Sequence, residues 1–172
     1  MGNRAVVCFA NKKDVERYYD GKKCGGIPLV RGFYADHMEL TGVYLHWNGG
    51  IESITGFCRA CKKLGYRGGA SDCYGVARFA QVVCNFFDGG LSCGVGAIER
   101  LDCRNGDNGL FVVDDEWRVV GREFATCREP DRQREEAWNK DVDEFADYLA
   151  DITQAAYRRQ KELQEAERGS AE

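Results

Sequence analysis

Residues 74–87, YGVARFAQVVCNFF, are apolar at nearly every position. A helix that is apolar all round belongs at the centre of a core, so this segment sets the plan for the rest of the chain. Asp88-Gly89-Gly90 ends it. Upstream, NRAVVCF (3–9) and LTGVYLHW (40–47) read as buried strands. Asn48-Gly49-Gly50 follows at once. Ile51, Ile54, Phe57, Cys58, Cys61 and Leu64 then recur at steps of three and four. That is an amphipathic helix, with Asn48 or a nearby glycine as N-cap and Gly65 as its stop.

Downstream the pattern becomes strands and turns: 91–101, 110–114 and 117–124, separated by DCRNGDNG (102–109) and by DDE. The two Asn-Gly dipeptides read as a hairpin turn. Residues 11–38 carry scattered Gly among Lys and Tyr and read mostly as loop, with a short helical turn near 15–19. The order β–β–α–α–β–β–β with consecutive hairpins predicts an α+β fold. It has an antiparallel sheet of about five strands, two helices packed on it and a long C-terminal amphipathic helix.

That last helix starts near Glu129-Pro130-Asp131, with proline in its first turn. Trp138, Val142, Phe145, Leu149, Ile152 and Ala156 step by four and three, a heptad seam. The seam either docks the helix on its own chain or joins two copies. Charge divides at the same place: residues 129–172 carry 7 basic and 13 acidic groups, whereas 1–128 carry 17 and 15. We therefore expect a ligand-binding domain over 1–128 and an acidic helical extension over 129–172.

Several function classes fall away. A body this weakly charged lacks the clustered basic face of a nucleic-acid binder. No apolar run approaches the roughly 18 residues of a membrane span, and no secretory signal is visible, so a cytoplasmic location is expected. The nine cysteines then read as reduced thiols. Cys58 and Cys61 form a C-x-x-C, but no second ligand pair accompanies them, so no metal is expected. Asp102 opens a stretch that resembles a calcium loop, yet its twelfth position is Val113 rather than Glu. His37 and His46 are the only histidines, and no nucleophile elbow, Walker motif or H-E-x-x-H occurs. No catalytic residue and no cofactor are assigned.

Binding is better supported. The strand–NGG–helix junction, Trp47 to Gly50, presents a positive helix end and lets a ligand approach the backbone, which suits an anion; a plain helix cap is the alternative. Phe86 and Phe87 are consecutive, so one ring is expected to turn away from the core, towards a base or a partner subunit. Arg78 interrupts the apolar helix and needs a carboxylate such as Asp115, or a phosphate.

The segments NRAVV (3–7), GVYLHWNGG (42–50), YGVARFAQVVCNFF (74–87), LDCRNGDNG (101–109) and WRVVGRE (117–123) resemble the anti-Thoeris nucleotide sponges of phages and prophages. The resemblance covers 3–9 and about 42–123; the stretch 11–38 and the tail 129–172 depart from it. It implies a non-catalytic protein that holds a cyclic ADP-ribose-type signalling nucleotide inside the infected bacterium, as a dimer or larger homo-oligomer. The physical arguments above, not the resemblance, supply the candidate ligand-binding residues: Trp47, Asn48, Gly49, Gly50, Arg78, Phe86, Phe87, Asp115 and Arg118, with an aromatic on the adenine and arginine with helix-end N–H groups on the pyrophosphate. The alternative is a protein that inhibits a host factor through its surface or C-terminal helix.

Overall fold

Strand β1 (Ala5–Phe9) is buried at every position. Its AVVCF run is the signature of a strand covered on both faces, and it lies inside a sheet ordered β2-β3-β7-β6-β1-β4-β5. A computed structural model describes residues 3–88, 92–126 and 135–169. In it, β1 runs antiparallel to β4 (Thr41–Leu45) and parallel to β6 (Leu110–Val113). β5 (Cys93–Ala97) continues the sheet beyond β4, and β7 (Val119–Glu123) lies antiparallel to β6.

The expected antiparallel sheet of about five strands, with two helices packed on it and a long C-terminal helix, is therefore corrected: the described residues form a mixed sheet of seven strands with five helices. Two physical causes account for the difference. First, β2 (Tyr19–Cys24) and β3 (Ile27–Val30) arise from the stretch read as loop. β2 is an edge strand with Lys22 and Lys23 exposed, so it shows no apolar alternation. Gly25 and Gly26, both at positive φ, turn it into β3, which then pairs with β7 in parallel at Leu29 and Arg122.

Second, residues 102–109 are not the turn of a hairpin. β5 pairs with β4, while β6 pairs with β1 and β7, so the intervening chain crosses the sheet. Ile98 and Cys103 bury themselves on the way. Arg4 anchors the crossover: its Nε donates to Asp107 Oδ2 at 2.8 Å and its guanidinium also reaches the Asn105 carbonyl. Asn105 Oδ1 accepts from the amides of Asp107 and Gly109 at 2.9 and 3.1 Å. Asn-Gly marks where the chain bends, not which strand it meets next.

The period-two alternation of the strands separates two cores. Val7, Phe9, Val43, Leu45, Phe111 and Val113 face α3 (Ile51–Lys63), α4 (Cys73–Phe86) and α5 (Glu135–Gly169). Val6, Cys8, Leu110 and Val112 face the other way, against Val15 of α1 (Lys12–Glu16), Phe33 of α2 (Phe33–Asp36) and the crossover.

α3 ends at Leu64, with Gly65 at positive φ beyond it. α4 is capped by Asp72, whose Oδ1 accepts from the Gly75 amide at 3.1 Å. It is not encircled by the core as its composition suggested: Val76, Phe79, Val82 and Val83 are buried, whereas Ala77, Arg78 and Cys84 are exposed. Ala and Cys are small enough to stand at a surface at little cost.

α5 packs chiefly on α3 and also on α4. Its seam residues Val142 and Leu149 are buried, with Phe145 and Ile152 packed at the edge of the core. Arg59–Asp143 (3.0 Å) and Lys63–Asp147 ion pairs flank the contact, and Gly56 lets the Phe145 ring lie directly on α3. The expected helix start at Glu129-Pro130, the stop at Gly89-Gly90 and the Trp138 side chain lie outside the described residues.

Candidate functional site

The nine residues singled out above lie in different parts of the fold. Trp47, Asn48, Gly49 and Gly50 link β4 to α3 beside the start of β1. Asn48 takes a positive φ, as asparagine tolerates. The Gly49 amide donates to the Asn3 carbonyl at 2.7 Å, and a Cβ at Gly49 would stand 2.6 Å from Asn3 O. The close approach that glycine permits here is thus to the chain's own backbone, not to open space. Gly50 caps α3 with no side-chain acceptor, and Glu52 places a carboxylate in the helix's first turn. Trp47 is 45% exposed and meets His46 edge-on.

Asp115 and Arg118 lie at the opposite end of the sheet, in the turn between β6 and β7. Asp115 Oδ1 accepts from the Ser71 amide at 2.8 Å, so it is not the partner of Arg78. Arg118 grips Asp114 through Nε and Nη2, each at 2.8 Å, and reaches Glu116 at 3.0 Å. Asp114 raises the Arg118 pKa through that hydrogen bond. Asp114 Oδ1 also accepts the amides of Glu116 and Arg118, so this arginine is part of the turn's own scaffold.

Phe86 and Phe87 both pack on the larger core. Phe86 meets Phe57 at 5.6 Å and Phe145 at 5.3 Å edge-on, and Phe87 at 5.0 Å. The expected outward ring is absent because Phe87 is already past the helix end, where the backbone leaves helical geometry and the second ring can fold back.

Arg78 is the member of the set that lines a concave site. It is exposed rather than buried; its Nη1 donates to Gln81 at 2.9 Å, and its guanidinium lies 5.4 Å from the centre of the Tyr66 ring. Leu64 and Tyr66 from the end of α3, Arg78 from α4, and Thr153, Gln154, Tyr157 and Arg158 from α5 enclose a groove of about 470 Å³. Among the described residues, two guanidiniums, two phenol rings and an amide line it. Burial raises the Tyr66 phenol, with Arg78 pulling the other way, so Tyr66 stays a hydroxyl donor at neutral pH. Thr153 is 1% exposed and its Oγ1 has no hydrogen-bond partner among the described residues. An unpaired buried hydroxyl costs roughly 1–3 kcal/mol.

Such a groove suits a planar, anionic molecule: arginine pairs with phosphate and stacks on aromatic faces, and the volume falls within the ~300–1,000 Å³ of small-molecule sites. Tyr66, Thr153, Gln154, Tyr157 and Arg158 were not singled out from the sequence. The available signal was the change after Ile152 from an apolar seam to Tyr157-Arg158-Arg159.

Cys58 and Cys61 sit one turn apart in α3, fully buried, and burial drives both thiols far above their ordinary range. Among the described residues no group of three or more His, Cys, Asp or Glu is arranged for a metal ion, and no helix is long and apolar enough to cross a membrane. Cys24 is disulfide-bonded, which corrects the reading of every cysteine as a reduced thiol; the seven other described cysteines are free. No protein-family model matches the chain, and no curated protein or solved structure matches it.

Proposed function

We propose that the protein is a non-catalytic binder that captures a cyclic ADP-ribose-type nucleotide in the α3–α4–α5 groove, and thereby blocks Thoeris antiphage signalling in the cytoplasm of an infected bacterial host. The resemblance noted above supplies the ligand class. The observation that carries the reading is the pairing of Arg78 over Tyr66 on one wall with Gln154, Tyr157 and Arg158 on α5. Guanidiniums would take the pyrophosphate and a phenol ring the adenine face.

Titration calorimetry with cyclic ADP-ribose isomers tests this. Sequestration calls for a Kd near or below ~100 nM, roughly −9.5 kcal/mol, and mass spectrometry of the released ligand should find it unchanged. No heat with any isomer overturns the reading. A homo-oligomer, the further implication of the resemblance, is tested by light scattering with and without ligand.

A second reading rests on a different observation. From Gln154 to the end of α5 every described residue is exposed, with Tyr157 61% and Leu163 58% accessible. Such a helix could dock on a host factor. If deletion of residues 163–172 abolishes the biological effect while nucleotide binding is absent throughout, this reading replaces the first.

A further inference from the structure

Two thiols that the groove does not use stand together further along α4. Cys84, in the last turn of α4, is exposed; Cys93, the first residue of β5, is half-buried. Their Sγ atoms are 3.1 Å apart. A disulfide needs about 2.05 Å, so the sulfurs have roughly 1 Å to close, a distance that side-chain torsions supply. We propose that Cys84 and Cys93 are a reversible redox pair, converted to an intramolecular disulfide by a low-molecular-weight disulfide such as oxidised glutathione.

Accessibility assigns the order of events. The exposed Cys84 thiolate attacks one sulfur of the small disulfide, breaking its S–S bond and releasing one thiolate, which takes up a proton. Cys93 then loses its proton to solvent and attacks Cys84 Sγ. The mixed disulfide breaks, the Cys84–Cys93 bond forms, and the second small thiol leaves. Two protein thiols are oxidised and one small disulfide is reduced to two thiols.

The rest of the described thiols provide the contrast. Cys8, Cys58, Cys61 and Cys103 are buried, and desolvation keeps them protonated. Cys73 is exposed but has no such neighbour among the described residues. Burial, aided by the hydrogen bond with Cys84, pushes the Cys93 thiol up to about 11 in the reduced pair, so its attack quickens as pH rises. The bond would tie the end of α4 to the edge strand, two residues before Phe86, whose ring packs on α3 and α5. The inference does not depend on the nucleotide reading.

The test uses the full chain. It is incubated with oxidised glutathione, alkylated, digested and mapped by mass spectrometry. We expect the peptides bearing Cys84 and Cys93 to be joined and lighter by two hydrogen atoms, with the link undone by dithiothreitol and formed faster at pH 9 than at pH 7. Cys73 should carry glutathione or the alkyl label. In Cys93→Ser, Cys84 should be trapped as a lasting glutathione adduct. If wild-type Cys84 keeps glutathione while Cys93 takes the alkyl label, or if both stay free while Cys73 reacts, the proposal is wrong. The wild-type map decides the matter even if the variant does not fold.

Discussion

The two halves of α5 obey different rules. Up to Thr153 the helix is held by tertiary contact: Val142, Ala146 and Leu149 are buried against α3 and α4. From Gln154 onward every described residue is exposed, and the helix continues on charge pairs such as Lys161–Glu165. The change falls at the groove, whose α5 wall begins with the last buried residue and continues into the first exposed turn. The lesson is that one continuous helix supplies both a core element and a binding wall, and the boundary between them is set by where α3 and α4 end.

That comparison can be broken or sharpened by substitution. The largest effect should come from the docked half: Leu149→Ala removes a fully buried side chain and should cost about 2–5 kcal/mol in urea unfolding. Loss of well under ~1 kcal/mol would mean that α5 is not a core element. Gly56→Ala should follow, at about 1–3 kcal/mol, because its Cβ would overlap the Phe145 ring and force the two helices apart.

At the boundary, Arg78→Ala should leave stability within about 0.5 kcal/mol, since the side chain is exposed. Nucleotide affinity should fall by about 10-fold to 100-fold, the scale of a charge-assisted bond, read by calorimetry. An unchanged Kd would place the ligand elsewhere. Thr153→Val should raise stability by about 1 kcal/mol in urea unfolding, because it removes a buried hydroxyl with no partner among the described residues. Deleting residues 163–172 should have the smallest effect, under about 0.5 kcal/mol, because residues 163–169 are exposed along their whole length.

Much of the fold was legible. α3 and α4 were readable to within a residue or two because burial on one side enforces a helical period, and β1 because a central strand must be apolar. β2 was not, because an edge strand shows lysines and glycines just as a loop does. The site was less legible still. Arg78 stood out as a charge in an apolar run, but the reasoning that it must be buried failed because α4 has an outer face. Glycines at 49 and 50 suggested a ligand, whereas Gly49 in fact makes room for Asn3 and Arg4.

What the chain determined by itself was local: the helical periods, the turn chemistry at Asn105–Gly109, the apolar centre of the sheet and the seam of α5. These follow from spacing and from backbone preference, which act over a few residues. Only the tertiary structure decided that residues 98–109 cross the sheet instead of closing a hairpin, that β1 and β6 run parallel, and that Tyr66, Arg78 and Arg158 share a groove. Those outcomes depend on contacts between residues tens of positions apart, and no local period encodes them.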